Sequence, residues 1–161
     1  MPEQAVVNAS PLIFLAKADR LDFLQQAATE ILVPSEVAAQ ICQHGANDPA
    51  ALALEKVPWL KMIEAPVVPP RIQTWDLGPG ESSVLAYAMA YRPTVAIIDD
   101  LSARRCAATF QIPVSGTLGL VLTAKKRGVI PLARPVLEHL RQSGMYLSDR
   151  VLNHALSFVG E

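Results

Sequence analysis

Two adjacent carboxylates, Asp99 and Asp100, end the β-branched apolar run Val95-Ala96-Ile97-Ile98 and lead into a helix-like segment from Ser102 to Phe110. In an open α/β sheet, ligands bind in the crevice outside the carboxyl ends of the strands, so acids placed there face a site rather than the core. Two other segments bring polar residues to the same edge. The strand-like Ala5-Val6-Val7 ends on Asn8-Ala9-Ser10-Pro11, and the turn Gly78-Pro79-Gly80 delivers Glu81 as the first residue of a further helix. Converged, Glu81, Asp99 and Asp100 form an acidic cluster rimmed by Asn8 and Ser10. A hard divalent cation takes such an oxygen-rich set. The candidate catalytic residues are therefore Glu81, Asp99 and Asp100, with Asn8 as a further metal ligand. Ser10, Arg104, Ser115 and Thr117 are the candidate phosphate contacts.

Each of these residues also has a purely structural alternative. Asp100 and Asp99 suit the N-terminus of the helix that follows them, and Glu81 suits the first turn of its own. Ser10 reads as a helix cap, and Ser115 and Thr117 as a strand end and a cap. Arg104 serves equally as a surface ion-pair partner, and Lys125-Lys126-Arg127 complement a helix C-terminus. His44, His139 and His154 show no metal-ligand spacing and read as surface residues. The Gly78-Pro79-Gly80 turn lacks the lysine of a nucleotide-binding loop.

The elements that must position these groups follow from the apolar spacing. Ser10 and Pro11 read as N-cap and first residue of a helix through Leu12, Leu15 and Ala16. Leu21 to Ala27 reads as a second helix, Glu30 to Val33 as a short buried strand, and Pro34-Ser35 as the start of a helix carrying Val37 and Ile41. Asp48-Pro49 opens a helix from Ala50 to Lys56, and Leu60 to Ile63 is strand or extended loop. Four prolines and two glycines between Pro66 and Gly80 predict the longest loop. Helix Glu81 to Ala90, the strand into Asp99, helix Ser102 to Phe110 and a short strand Pro113 to Ser115 follow. Thr117 then caps a helix to Arg127 with Gly128 as its terminator, and Leu132 to Leu140 and Ser148 to Val159 are the last helices. Strands separated by helices at this spacing predict an α/β fold, a three-layer α/β/α domain over residues 1–161 with a central, mainly parallel sheet. Right-handed crossovers gather the carboxyl ends of its strands at one edge.

Bulk properties narrow the classes. Half the 161 residues are hydrophobic and 18% are charged, which fits a packed core and excludes intrinsic disorder. The net charge of −1 lacks the basic footprint of tight nonspecific nucleic-acid binding. The two cysteines, Cys42 and Cys106, have no metal spacing, read as buried residues and suggest a reducing compartment. No apolar run reaches the ~18 residues needed to cross a bilayer, and no leader precedes the first strand, so a cytoplasmic protein is expected.

In order and spacing, the pieces Val7-Asn8-Ala9-Ser10-Pro11-Leu12, Val33-Pro34 with Val37, Leu77-Gly78-Pro79-Gly80-Glu81, Ile98-Asp99-Asp100 with Arg104, and Ser115-Gly116-Thr117-Leu118-Gly119 resemble a PIN domain. This is the nuclease fold of many bacterial toxins of toxin–antitoxin modules, and the likeness extends over essentially the whole chain. It implies Mg²⁺- or Mn²⁺-dependent hydrolysis of RNA, a cognate antitoxin as partner, and a homodimer. Apolar faces on the early helices around Leu12, Leu15, Leu21, Phe23 and Leu24 exceed what a small single sheet needs and point to the same dimer. The chain departs from the family pattern at two places. Asn8 stands where an aspartate is usual, and Gln40 where a glutamate is common. Both changes keep the shape and remove a charge, so weaker metal binding is expected. Glu36 lies one turn from Gln40, about 6 Å along the axis, and does not substitute directly.

Three functions are consistent with these residues: a metal-dependent ribonuclease of toxin type with a partly degraded acidic site, a catalytically impaired PIN-like module that binds a protein partner or RNA, and an unrelated α/β protein that binds a phosphate ester. Asn8 and Gln40 favour the second over an efficient form of the first. Glu81, Asp99 and Asp100 favour the first over no catalysis.

Overall fold

In the computed structural model, which describes residues 1–161, five strands form one sheet: β1 (Gln4–Val7), β2 (Glu30–Pro34), β3 (Leu60–Ile63), β4 (Thr94–Ile97) and β5 (Val114–Ser115). They lie in the order β3-β2-β1-β4-β5, and every neighbouring pair is parallel. The central strands are continuous apolar runs because both of their faces are covered by helices, the arrangement that all-parallel sheets require. Val6, Val7, Val33, Ala96 and Ile97 are accordingly buried. The edges are handled differently. β3 exposes Lys61 and Met62, with Lys61 paired to Glu30 of β2, and β5 is only two residues long. Charge and brevity both guard an edge against stray pairing.

Nine α-helices cover the sheet: α1 (Ala9–Lys17), α2 (Ser35–Cys42), α3 (Pro49–Lys56), α4 (Pro70–Gln73), α5 (Pro79–Ala90), α6 (Leu101–Thr109), α7 (Thr117–Lys126), α8 (Arg134–Gln142) and α9 (Asp149–Ser157). This is the expected three-layer α/β/α architecture, with one continuous core running from Ala5 to Leu156. No helix is long and apolar enough to cross a membrane.

Several local expectations are corrected. Ser10 is not an N-cap: α1 begins at Ala9 directly after Asn8, so Ser10 lies inside the first turn. Leu21–Gln26 is a 3₁₀ helix rather than an α-helix. The proline-rich stretch before Gly80 contains α4 and the start of α5, because Pro70 and Pro79 occupy first helical positions, where a missing N–H costs nothing. Cys42 is exposed; Cys106 is buried, and burial raises its thiol pKa, leaving little reactive thiolate. Leu12, Leu15, Phe23 and Leu24 are fully buried within the single chain, so they offer no face to a second copy.

The basic run at the end of α7 is used internally. Lys125 donates to Pro131 O, and Arg127 donates to the backbone and side chain of Gln26. Lys125 also faces Glu161, whose carboxylate accepts from the backbone N–H groups of Ala133 and Arg134 at 2.7 and 3.1 Å. Burial alone would raise the Glu161 pKa, but these amides and Lys125 outweigh it and hold the group below its ordinary 4.5. A depressed carboxylate contributes stability that is present above the unfolded-state pKa and lost as pH falls through the folded one. Glu161→Gln is therefore expected to cost about 1 kcal/mol at neutral pH, the usual worth of a helix cap. It should also flatten the acid limb of a thermal-melting series below pH 4.5. An unchanged acid limb would contradict this role.

Candidate functional site

The strand order turns back on itself between β1 and β4, which makes their carboxyl ends the topological switch point of the sheet. Asn8 follows β1 and Asp99 follows β4. The backbone N–H of Asn8 donates to Ile97 O at 3.0 Å, tying the two strand ends together. A cleft of about 930 Å³ opens at this point, and Asn8, Ser10, Glu81, Asp99, Asp100, Arg104 and Ser115 all line it. These are seven of the eight residues singled out by the sequence. The eighth, Thr117, is fully buried behind the cleft and reaches it only through Asp99.

Each acid has a defined partner. Asp99 is half-buried and takes the N–H of Thr117 on Oδ1 and the Thr117 hydroxyl on Oδ2, both at 2.7 Å. The Ser10 hydroxyl approaches the same Oδ2 at 3.5 Å. Thr117 thus does not cap α7, as its sequence position suggests. Gly116 holds the cap position, and the carboxylate arriving from β4 supplies the acceptor. Asp100 caps its own helix α6 through the N–H of Ala103 at 2.9 Å. Glu81 lies in the first turn of α5 and accepts from Asn8 Nδ2 at 3.2 Å. Because the three acids turn toward different donors, no three His, Cys, Asp or Glu side chains come close enough to hold a metal ion. The compact cluster expected from sequence is therefore replaced by acids spread along one cleft.

Neutral groups fill the gaps between them. Asn8 is 2% exposed, and its Oδ1 is buried without any hydrogen-bond partner. It sits above Gly80, where a Cβ would come within 3.0 Å of Asn8 Oδ1 and 2.8 Å of Gln40 Oε1. Glycine is what lets these two amide oxygens converge on the start of α5. Gln40 itself is exposed on α2 and does not line the cleft. Glu36 is instead exposed and bonded by Ser35. Gly116 plays the same part on the other side. A Cβ there would meet Arg104 Nη1 at 2.6 Å and Asp99 Oδ1 at 3.1 Å, so its absence lets Arg104 reach Ile98 O at 3.0 Å. Arg104 does not ion-pair with a carboxylate. One of its five N–H donors is used on that carbonyl.

The Thr117 contacts give a direct expectation. Thr117→Val keeps the shape and removes the hydroxyl, leaving one Asp99 oxygen without its short donor. The loss should be about 1.5 kcal/mol, as for a hydrogen bond to a charged group, or a fall in melting temperature of roughly 3–6 °C for a chain of this size. A melting point within a degree of the parent protein's would show that Asp99 is held by other means.

The far wall of the cleft was not foreseen. It comes from α7 and from α9 with its C-cap and is largely apolar, with Leu118, Leu122, Val151 and Phe158 among its residues and His154 beside them. Tyr146, 92% exposed, stands at its rim. The spacing Val151, His154 and Ala155, Phe158 is a one-sided helical stripe that sequence could have shown. The structure leaves it lining the cleft.

No curated protein matches the chain. A family model, DUF3368, described as a PIN domain, matches residues 4–161. Because this match takes in all five strands, the cleft at their switch point and every helix around it, the chain belongs to the PIN-domain family.

Proposed function

We propose that the protein is a ribonuclease of PIN type, dependent on Mg²⁺ or Mn²⁺ and serving as the toxin-like member of a toxin–antitoxin pair. The observation that carries this reading is the cleft at the β1/β4 switch point, which gathers the Glu81 and Asp99 carboxylates and the Asn8 amide on one lining. Asn8 faces Glu81 through its Nδ2 and leaves its buried Oδ1 without a hydrogen-bond donor. The available donors are all oxygens: the Glu81 and Asp99 carboxylates with the Asn8 amide. That set fits a cation that takes one or two carboxylates and keeps several of its waters.

Glu81, Asp99 and Asn8 would hold the cation. Asp99 is kept in place by Thr117, and Asp100 adds negative potential at the exposed rim while capping α6. Ser10 and Arg104 sit where they can receive phosphate oxygens, with Ser115 beside them. When bound, a divalent cation lowers the pKa of its water and offsets the charge that develops on the scissile phosphate. With Asn8 and Gln40 neutral, binding should be weaker than in a site with four acids. The test is cleavage of a mixed single-stranded and structured RNA pool with Mn²⁺, comparing the parent protein with Glu81→Gln/Asp99→Asn, both checked for folding. Cleavage by the parent alone is expected, and equal activity in both preparations would overturn the reading.

A second reading, an impaired PIN module that holds RNA or a protein partner, is favoured by one specific observation. Glu81 and Asp99 already accept hydrogen bonds from protein donors. Absence of cleavage in both preparations, together with retained RNA or partner binding, would move the conclusion there.

A further inference from the structure

The cleft has two unlike walls. On one stand Glu81, Asp99 and Asp100, with Arg104 as the only lysine or arginine of the whole lining. On the other, Tyr146 and Phe158 are 92% and 62% exposed, and only Tyr91 among the remaining aromatic residues is exposed as well. Single exposed rings are ordinary on a protein surface, but two on one wall of a cleft mark a binding face. Both are presented by fixed backbone. Met145 N donates to Leu140 O at 3.1 Å and Arg141 Nη1 to Leu147 O at 3.4 Å, so the residues on either side of Tyr146 are tied to α8. Met145 packs against the core and Leu147 is buried in it, which leaves Tyr146 between them facing outward. Phe158 stands at the C-cap of α9, with the His154 ring edge-on to it at 4.9 Å between centroids.

We infer that this wall stacks unpaired bases of the RNA strand whose phosphate lies at Arg104. The inference rests on the ribonuclease reading above and names the residues that select the substrate within it. A nucleotide is two-sided in the same way as the cleft: its anionic phosphate takes a cation or an arginine, and its flat uncharged base takes an aromatic face. The charge of the chain points the same way. With a net charge of −1 and one arginine against three carboxylates on the lining, phosphate contacts supply little of the affinity. Stacking needs no net charge, and a cleft of about 930 Å³ has the size of a small-ligand site rather than of a flat protein interface. A base inside a duplex has both faces covered by its neighbours, so such a platform accepts loops, bulges and ends. Tyr146 and Phe158 are thereby assigned to the choice of substrate and not to the bond-breaking step.

Binding is read by the fluorescence of 2-aminopurine placed in a short RNA single strand and in the same strand annealed to its complement. Ca²⁺ serves as the oxygen-seeking cation, and the strand is checked for integrity after each titration. The parent protein is compared with Tyr146→Ala, Phe158→Ala and Tyr146→Phe. The single strand should bind with quenching, each alanine variant should lose about tenfold in affinity, and Tyr146→Phe, which keeps the ring, should stay within about twofold. Tyr146→Ala should melt with the parent, since its ring is exposed. The log of the affinity should fall with the log of the salt concentration at a slope shallower than about −1.4, the value for two phosphate contacts on a single strand. No binding by the parent, equal affinity in both alanine variants, equal affinity for the duplex, or a steeper slope would overturn the stacking role. Self-association of the parent that is lost in both alanine variants would give the wall to a second copy and overturn it as well. Failure of the ribonuclease reading is distinct: a parent protein that stacks bases but cuts no RNA overturns that reading and keeps the platform. A parent that cuts RNA, with KM unchanged in Tyr146→Ala and Phe158→Ala, keeps the nuclease and discards the platform.

Discussion

Asn8→Asp is expected to destabilise the metal-free protein by about 3 kcal/mol, the order seen when a buried charge is left uncompensated, or roughly 6–12 °C in melting temperature. Position 8 is nearly inaccessible, and its side chain meets Glu81 at 3.2 Å through the amide N–H. The substitution removes that donor and sets two carboxylates side by side, an arrangement in which one of them takes up a proton and its pKa rises. A raised folded-state pKa contributes stability below the unfolded value that is lost as pH increases. The defect should therefore be deeper at pH 8 than at pH 5. Divalent cation should remove it, because the added acid is then a ligand. Thermal melts at both pH values, with Mn²⁺ and with chelator, check all three expectations. A variant as stable as the parent in chelator at pH 8 would show that Asn8 does not stand in for a charge-balancing group.

Glu81→Gln alone should reduce Mn²⁺-dependent RNA cleavage by at least ~100-fold, since loss of a metal ligand forfeits several kcal/mol of transition-state stabilisation. The change is nearly isosteric, and Glu81 lies on the first turn of a well-buried helix rather than in the core. The amide can still face Asn8, so the fold should survive while the charge is lost. The deficit should appear chiefly in the Mn²⁺ concentration needed for half-maximal rate and in the rate at saturating Mn²⁺, with substrate binding less affected. A rate within threefold of the parent at every Mn²⁺ concentration, a difference of only ~0.7 kcal/mol, would remove Glu81 from the reaction.

Much of the framework was legible because its signals are local. Val6-Val7 and Ala96-Ile97 are apolar on both faces, as central parallel strands must be. Asp48-Pro49 and Ser148 mark helix starts that the structure realises, with Ser148 capping α9 through Val151 and Asp48 capping α3 through Ala50. Gly128, at a φ of +76°, stops α7 where expected. The site was legible as a set of residues at one sheet edge, for the same topological reason. What escaped is what depends on long-range partners. Thr117 has the look of a cap, but Asp99, eighteen residues earlier in the chain, supplies the acceptor. Asp99 and Asp100 are adjacent yet turn to different helices, so two neighbouring acids do not make a chelating pair. Gln40 is marked in the sequence only by the resemblance, and the structure adds that its side-chain oxygen and that of Asn8 both approach the bare α-carbon of Gly80. The apolar stripe on α9 has the pattern of a core-facing helix, and only its packing shows that part of it borders the cleft.

The central claim, that this cleft holds a divalent cation despite the neutral amide of Asn8, is tested most directly by the melting temperature of the parent protein with and without Mn²⁺, alongside Glu81→Gln/Asp99→Asn. A ligand that binds only the folded state at a hundred times its Kd adds about 2.7 kcal/mol, a rise of roughly 5–11 °C for a chain of this size. The account predicts such a rise in the parent protein at millimolar Mn²⁺ and its loss in the double variant. An equal response in the two proteins, or none in the parent, would contradict it.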